Sequence, residues 1–171
     1  MDGVVTLLQT ARCLLDEASE ADAEPLERLM NSPDWLKYIG DRNIRSPQDA
    51  ANYIRDNLQA QYKTHGLGLY TVRLNQGDFV GLAGFVKREH LPHPDLGIAF
   101  YSEFYGKGLA VEVCEALLVY ARDVLKLKKL LAVTMPANLK ARTLVERLAF
   151  AEKELFESPK GDMLMKYELE F

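Results

Sequence analysis

Three strand-like segments follow one another in the middle of the chain with no helix between them. Leu69–Leu74 is rich in residues that favour β-strands, Phe79–Val86 is apolar throughout, and residues 95–101 alternate bulky with small side chains. Residues 75–78 include Asn and Gly and predict a tight turn between the first two segments. Because consecutive strands joined by short turns pair antiparallel, this pattern excludes a sheet built only from alternating strand and helix units.

Outside this region the hydrophobic spacing predicts isolated helices and further strands. The predicted helices cover residues 22–31, 46–63, 108–125 and 138–148, and the predicted strands cover 12–17, 130–134, 149–156 and 163–171. We therefore expect the element order βααβββαβαββ, which is an α+β or mixed α/β fold. In the helix over 108–125 the core-facing side is predicted to consist of Leu109, Val113, Leu117 and Val124.

The size and charge of the chain limit the partners it can have. With 171 residues, 48% of them apolar, we expect one globular domain over residues 1–171. The 21 basic and 25 acidic residues give a net charge of -4, which provides no general attraction for nucleic acids or anionic membranes. No stretch resembles a membrane span or a leader, and the two cysteines lack the spacing of a metal site. We expect a cytoplasmic protein without a metal, in which any anion site is local.

A phosphate-binding loop is predicted between the strand over 95–101 and the helix over 108–125. The sequence Phe-Tyr-Gly-Lys-Gly-Leu-Ala at 104–110 contains Gly106 and Gly108, which allow a sharp turn and the close approach of a ligand. The N–H groups at the start of the following helix lack helical partners, and the helix dipole favours an anion there. A plain turn without a ligand is the alternative interpretation.

Three families of phosphate-binding loop compete for this segment. A dinucleotide-binding fingerprint requires glycine at position 111, which is Val111, and the nucleotide-binding P-loop string does not occur in the chain. The segment does resemble the pyrophosphate loop of the GNAT acetyltransferases, written Q/R-x-x-G-x-G/A. Gly108 and Ala110 match that pattern, whereas Tyr105 replaces its first residue.

Other segments resemble the same family. Residues 138–150 are similar to the family's N-x-x-S-x-x-(V/L)-L-E-K-L-G-F segment, and Asn138 follows the second glycine of the loop by 30 residues. Residues 10–16 resemble the family's first strand, T-E-R-L-x-L-R. Residues 38–50, and residues 86–88 followed by 94–100, resemble the branch of ribosomal-protein N-terminal acetyltransferases, the RimJ/RimL-like branch.

This resemblance implies a fold and an activity. The GNAT fold has a central, mostly antiparallel twisted sheet, and we expect about six to seven strands, splayed in the middle and flanked by about four helices. Its enzymes transfer the acetyl group of acetyl-CoA to a primary amine by direct attack in a ternary complex. The expected partners are acetyl-CoA and an amine, either a small molecule or a protein N-terminus, with the chain a monomer or a homodimer. A catalytically weakened acyl-CoA-binding module is the alternative.

The resemblance also implies roles for individual residues. The Asn138 side chain would bond the pantetheine amide as it passes between two splayed strands, although the same residue suits a helix N-cap. A backbone N–H around Phe100 and Tyr101 would polarise the thioester carbonyl. The predicted cofactor contacts are Phe100, Tyr101, Tyr105, Gly106, Lys107, Gly108, Leu109, Ala110 and Asn138.

Two residues are expected to take part in proton transfer. Asp95, at the start of a strand, is the best placed carboxylate to act as the base, with a structural strand-end role as the alternative. Ala141 stands where family members carry a serine that protonates the leaving thiolate, and Tyr101 is the first substitute to consider. Trp35 and Tyr38 are expected either to cover the acceptor mouth or to pack in the core.

Overall fold

One open sheet runs through the molecule, and the computed structural model, which describes residues 3–171, gives it eight strands. They are β1 (Thr6–Gln9), β2 (Cys13–Glu17), β3 (Leu69–Leu74), β4 (Phe79–Val86), β5 (Asp95–Phe100), β6 (Lys129–Thr134), β7 (Ala151–Glu157) and β8 (Met163–Glu170). Their spatial order is β1-β2-β3-β4-β5-β6-β8-β7. Neighbouring strands are antiparallel, except that β5 and β6 are parallel. The parallel pair requires a long crossover connection, which a helix provides.

Helices cover both faces of this sheet. They are α1 (Ala23–Met30), α2 (Pro33–Tyr38), α3 (Pro47–Tyr53), α4 (Ala60–His65), α5 (Leu109–Asp123) and α6 (Leu139–Arg147). A π-helical stretch, Ile54–Gln59, joins α3 to α4 without a break. The start of α3 follows from its sequence, because Pro47 takes the first helical position and the Ser46 hydroxyl accepts the Asp49 N–H at 3.0 Å. Within residues 3–171, none of the helices is long and apolar enough to cross a membrane.

Each face of the sheet carries its own apolar core. Helices α5 and α6 cover the first core, and α1, α2 and α3 cover the second. Strand β5 shows the division, since Leu96 and Phe100 contribute to the first core while Ala99 packs against the second. Trp35 is 5% exposed and belongs to the second core, where its Nε1 donates to the Gly40 carbonyl oxygen at 3.1 Å. Of the two interpretations of this tryptophan, the structure therefore supports core packing.

The predicted fold class is confirmed, with one strand more than expected. The additional strand is β1, and the short helix α2 is likewise missing from the sequence prediction. β1 has four residues of which the outer two are exposed, and α2 has six residues. Elements of this length are too short to establish a hydrophobic period.

Two predicted boundaries are wrong. Val124 is expected on the buried face of α5, but it is 59% exposed because the helix ends at Asp123. Ala121 fills the buried position in the last turn instead. The strand expected from residue 149 begins at Ala151, since Ala149 has a φ of 70° and terminates the preceding helix.

Replacement of Leu117 by alanine should lower the free energy of unfolding by about 2–5 kcal/mol, because this fully buried side chain belongs to the first core. Val119→Ala on the same helix is the matched control. Val119 is 49% exposed, so its truncation should change the free energy of unfolding by less than about 0.5 kcal/mol. Denaturant unfolding measures both, and equal losses would contradict the assigned buried face of α5.

Candidate functional site

Strands β5 and β6, at the centre of the sheet, pair at a single point in the described part of the chain. The register joins Asp95 to Leu131, and the Leu131 N–H donates to the Pro94 carbonyl oxygen at 2.9 Å. By contrast, β5 pairs with β4 along its whole length. Beyond the Asp95–Leu131 contact the two strands diverge, which confirms the expected splay. We call the opening between them the central gap.

Backbone groups of both strands face the central gap. The Tyr101 N–H donates to the Val80 carbonyl oxygen on β4 at 2.9 Å. Because backbone groups alternate in direction along a strand, the N–H groups of Ile98 and Phe100 point the other way, towards the gap. On β6 the same alternation directs the backbone of Val133 towards the gap. The expected polarising role of the Tyr101 N–H is therefore corrected: this N–H is used within the sheet, and that of Phe100 faces the gap.

The predicted phosphate loop follows β5 and leads directly into α5. Gly106 and Gly108 have φ values of 72° and 77°, a left-handed conformation in which any side chain is strained. Gly108 immediately precedes Leu109, the first residue of α5, and supplies no side chain to cap the helix. The N–H groups of the first turn are thus available to an anion. Leu109 is buried in the first core, so only its backbone can reach a ligand, whereas Lys107 is exposed.

Three residues outside the predicted site, Thr10, Arg12 and Glu112, hold this loop. The Glu112 carboxylate accepts hydrogen bonds from the Thr10 hydroxyl at 2.6 Å and from Arg12 Nε at 2.8 Å. Arg12 also donates from Nη1 to the Lys107 carbonyl oxygen at 2.9 Å. Burial raises the pKa of Glu112, but the hydrogen bonds from Thr10 and Arg12 outweigh it, so the pKa lies below its ordinary value. In the sequence, residues 10–16 resemble the family's first strand, but this resemblance does not indicate the contact of Thr10 and Arg12 with Glu112.

Tyr105, the residue that departs from the loop pattern, connects the loop with two helices. Its hydroxyl donates to Asp34 Oδ2 on α2 at 2.9 Å. Nζ of Lys140 on α6 lies 4.4 Å from the centre of its ring, a cation–π contact. Burial, together with the Asp34 carboxylate, raises the pKa of Tyr105 to about 12. The segments that follow β5 and β6 therefore meet at Tyr105, at the open end of the central gap.

Asn138 occupies the N-cap position of α6. Its Oδ1 accepts the Ala141 N–H at 3.2 Å, as expected of a helix-capping asparagine. The cap uses the amide oxygen, so the amide NH₂ group is still able to donate to a ligand. The capping role is observed, and the cofactor contact of Asn138 stays a prediction.

The two residues expected to move protons have other partners. Asp95 is 2% exposed and accepts a hydrogen bond from Arg88 Nε at 2.6 Å. Burial raises the pKa of Asp95 despite the opposing effect of Arg88. Asp95 lies at the paired end of β5, about 16 Å from Phe100 at ~3.3 Å per residue. The Tyr101 hydroxyl donates to the Pro25 carbonyl oxygen. These contacts favour structural roles, and the catalytic roles of Asp95 and Tyr101 stay predictions.

The described residues offer neither a metal site nor a reactive thiol. Residues 3–171 contain no group of three or more His, Cys, Asp or Glu side chains placed to hold a metal ion. Cys13 and Cys114 are free and buried. Burial raises the pKa of Cys114 to about 12, so its thiolate is scarce at neutral pH.

Strands β5 and β6 separate at one end of the pair, and a glycine loop enters α5 at that end. This combination indicates the class of protein to which the chain belongs. A family model described as an acetyltransferase (GNAT) domain matches residues 12–151, a span that includes the central gap and the loop. The chain therefore belongs to the GNAT acetyltransferase family. As a member of this family it is an N-acetyltransferase whose acetyl donor is acetyl-CoA. The family, the enzyme class and the cofactor predicted from the sequence are confirmed.

Individual relatives agree with this assignment. YoaA of Bacillus subtilis (strain 168), described as an uncharacterized N-acetyltransferase, is 22% identical over 149 residues, 86% of this chain and 84% of its own. RimL, a ribosomal L7/L12 alpha-N-protein acetyltransferase, has a crystal structure with a TM-score of 0.85 at 15% identity, covering 99% of this chain and 96% of that one. The microcin C7 self immunity acetyltransferase MccE, in complex with acetyl-CoA and AMP, gives 0.79 at 13% identity over 94% and 93%. At such identities the two structures establish the shared fold.

Arg88→Ala should lower the free energy of unfolding by about 1–3 kcal/mol, because the buried Asp95 carboxylate loses its partner. The raised pKa of Asp95 fixes the pH dependence: a carboxyl with a raised folded-state pKa destabilises the fold only where it is ionised. The Arg88→Ala defect should therefore grow as the pH rises through the folded-state pKa of Asp95, which lies above its ordinary value, and should vanish well below that pKa. Denaturant unfolding at several pH values checks this.

Asp95→Asn is the companion variant, and it should keep kcat close to that of the wild type because the carboxylate lies at the closed end of the gap. A general base would contribute about 10²–10⁴-fold to the rate. A fall in kcat of that size, with unfolding unchanged, would show that Asp95 is the base after all.

Proposed function

We propose that the protein acetylates a primary amine by direct attack on acetyl-CoA within a ternary complex. The observation that carries this proposal is the central gap, because it directs backbone groups of β5 and β6 into an opening beside the glycine loop. Buried backbone N–H and C=O groups require hydrogen-bonding partners. The pantetheine arm of CoA is extended and contains amides, so it supplies such partners along the gap.

The diphosphate and the pantetheine arm of acetyl-CoA each match a different part of the site. The diphosphate would lie against the N–H groups that follow Gly108, where the helix dipole favours an anion. Ala110 in the first turn is small enough to allow that approach. The arm would then pass along Phe100 and reach the amide of Asn138, which precedes α6 at the end of the other strand.

The transfer itself needs little from the side chains. The amine nitrogen would attack the thioester carbonyl carbon while the Phe100 N–H donates to the developing oxyanion. The C–S bond then breaks, CoA leaves as the thiolate, and the proton lost by the nitrogen passes to solvent. Ala141 carries no hydroxyl to protonate the thiolate. A thiol of pKa about 8.5 leaves adequately near neutral pH without a dedicated acid.

The acceptor is proposed to be a cationic amine, either a small molecule or a protein N-terminus. An open cavity of about 590 Å³ at the end of β5 is lined by the carboxylates of Glu24, Asp78 and Glu103 beside Phe79 and Phe104. Arg28 also lines it and pairs with Glu103 at 2.7 Å, so the carboxylates still outnumber the cation. Acidic side chains around apolar rings suit an ammonium group attached to an apolar body. The similarity to RimL, which acts on a protein α-amino group, supports the protein N-terminus.

A second candidate is that this acetyltransferase is catalytically weakened and acts mainly as an acyl-CoA-binding module. Two observations favour it: position 141 is alanine, and the Tyr101 hydroxyl is bonded to the Pro25 carbonyl oxygen. This candidate shares the cofactor site with the enzyme and differs from it in turnover alone.

Ala110→Glu should weaken acetyl-CoA binding by at least about 10-fold, because a carboxylate would be placed against the diphosphate. Val119→Glu is the matched control, since it adds the same charge to the exposed face of the same helix and should leave the affinity unchanged. Titration calorimetry measures both. Wild-type affinity in Ala110→Glu would remove the loop from the cofactor site.

Thiol release from acetyl-CoA, measured with a panel of amines and N-terminal peptides, separates the enzyme from the module. We expect amine-dependent release whose rate rises with pH as the acceptor loses its proton. The rate should not fall on the alkaline side, because no enzyme acid has to remain protonated. Tight acetyl-CoA binding without amine-dependent release would favour the binding module, and an alkaline decline would reveal a proton donor.

A further inference from the structure

A carboxylate stands beside the proposed diphosphate site. Glu112 lies in the first turn of α5, and its side chain is 21% exposed. An uncompensated negative charge there would repel the diphosphate that the same helix terminus is proposed to bind. The charge is held in place by the turn between β1 and β2, because Glu112 accepts from the Thr10 hydroxyl, the Arg12 backbone N–H and Arg12 Nε at 2.6, 2.9 and 2.8 Å.

The same arginine also reaches the loop. Its Nη1 donates to the Lys107 carbonyl oxygen at 2.9 Å, and its Nη2 lies 3.5 Å from the point that a Cβ on Gly108 would occupy. A guanidinium is planar and presents several donors in a fixed geometry, so Arg12 contacts the carboxylate and the loop backbone together. Its positive charge therefore lies between Glu112 and the glycine loop.

The bond to Lys107 has a consequence for Gly108. The Lys107 carbonyl and the Gly108 N–H belong to one planar, trans peptide unit, in which they point in opposite directions. By holding the carbonyl, Arg12 directs the Gly108 N–H away from itself. Glycine at this position would otherwise rotate more freely than any other residue.

We propose that Arg12 is a positioning residue for the diphosphate of acetyl-CoA: it orients the Gly108 N–H and compensates the charge of Glu112. This inference rests on the proposed function. The Arg12 side chain is 49% exposed, and exposed ion pairs contribute little to stability. Removal of Arg12 should therefore affect the cofactor far more than the fold.

The test compares donors with and without a diphosphate. Arg12→Ala should weaken CoA binding and raise the KM for acetyl-CoA by roughly 10- to 100-fold, with kcat and the melting temperature close to the wild type. The KM for S-acetylpantetheine, which lacks the diphosphate, should not change. Arg122→Ala is the control, because Arg122 lies at the far end of α5 and pairs with its neighbour Asp123.

A second variant tests the charge compensation. Glu112→Gln, introduced into Arg12→Ala, removes the uncompensated carboxylate and should recover a large part of the lost CoA affinity. Unchanged CoA affinity in Arg12→Ala, an equal loss for S-acetylpantetheine, or no recovery in the double variant would each overturn the inference. Failure of the wild-type protein to bind CoA would instead overturn the proposed function.

Discussion

The contact between Asp95 and Leu131 is the constraint on which the rest of the site depends. It fixes β5 and β6 as parallel neighbours, and their divergence beyond it creates the central gap. Strand β5 still pairs with β4, and β6 still pairs with β8. The split therefore removes hydrogen bonds from only one edge of each strand. Parallel strands need a crossover, and that crossover must start where β5 ends. The glycine loop and the N-terminus of α5 are therefore at the open end of the gap as a result of topology.

The two cores show which side of the gap is closed. The first core includes residues from both sides of the split, such as Val72 and Val80 on one side and Leu130 and Tyr167 on the other. The buried residues of the second core come from the first half of the sheet and its helices and do not include β6 or β8 in the described chain. Helices α5 and α6 thus hold the halves together on one face. On the opposite face, the buried core of the described residues does not extend across the gap to β6 and β8.

Local features of the sequence were sufficient to predict most of the helices and strands, the glycine loop and the Asn138 cap, but not the short elements β1 and α2. The loop is recognisable because two glycines between a strand and a helix require unusual backbone angles whatever the rest of the chain does. The network of Arg12 and Glu112 joins residues 100 positions apart, and Tyr105 meets Asp34 across 71 positions. No local pattern encodes such contacts. Asp95 was expected to be catalytic because its position on a strand was visible, whereas its partner Arg88 and its near-complete burial became evident only in three dimensions.

The insertion of β8 between β6 and β7 bears on how the protein is made. Strand β6 forms one wall of the central gap, yet it pairs along its length with β8, which comes after β7 in the chain. During synthesis from the N-terminus, β1 to β5 can complete their ladder while β6 still waits for residues 163–170. The central gap therefore obtains a fully paired second wall only after β8 has been made. A ribosome-bound chain that ends before β8 would display the loop and α5 while β6 still lacks its partner strand.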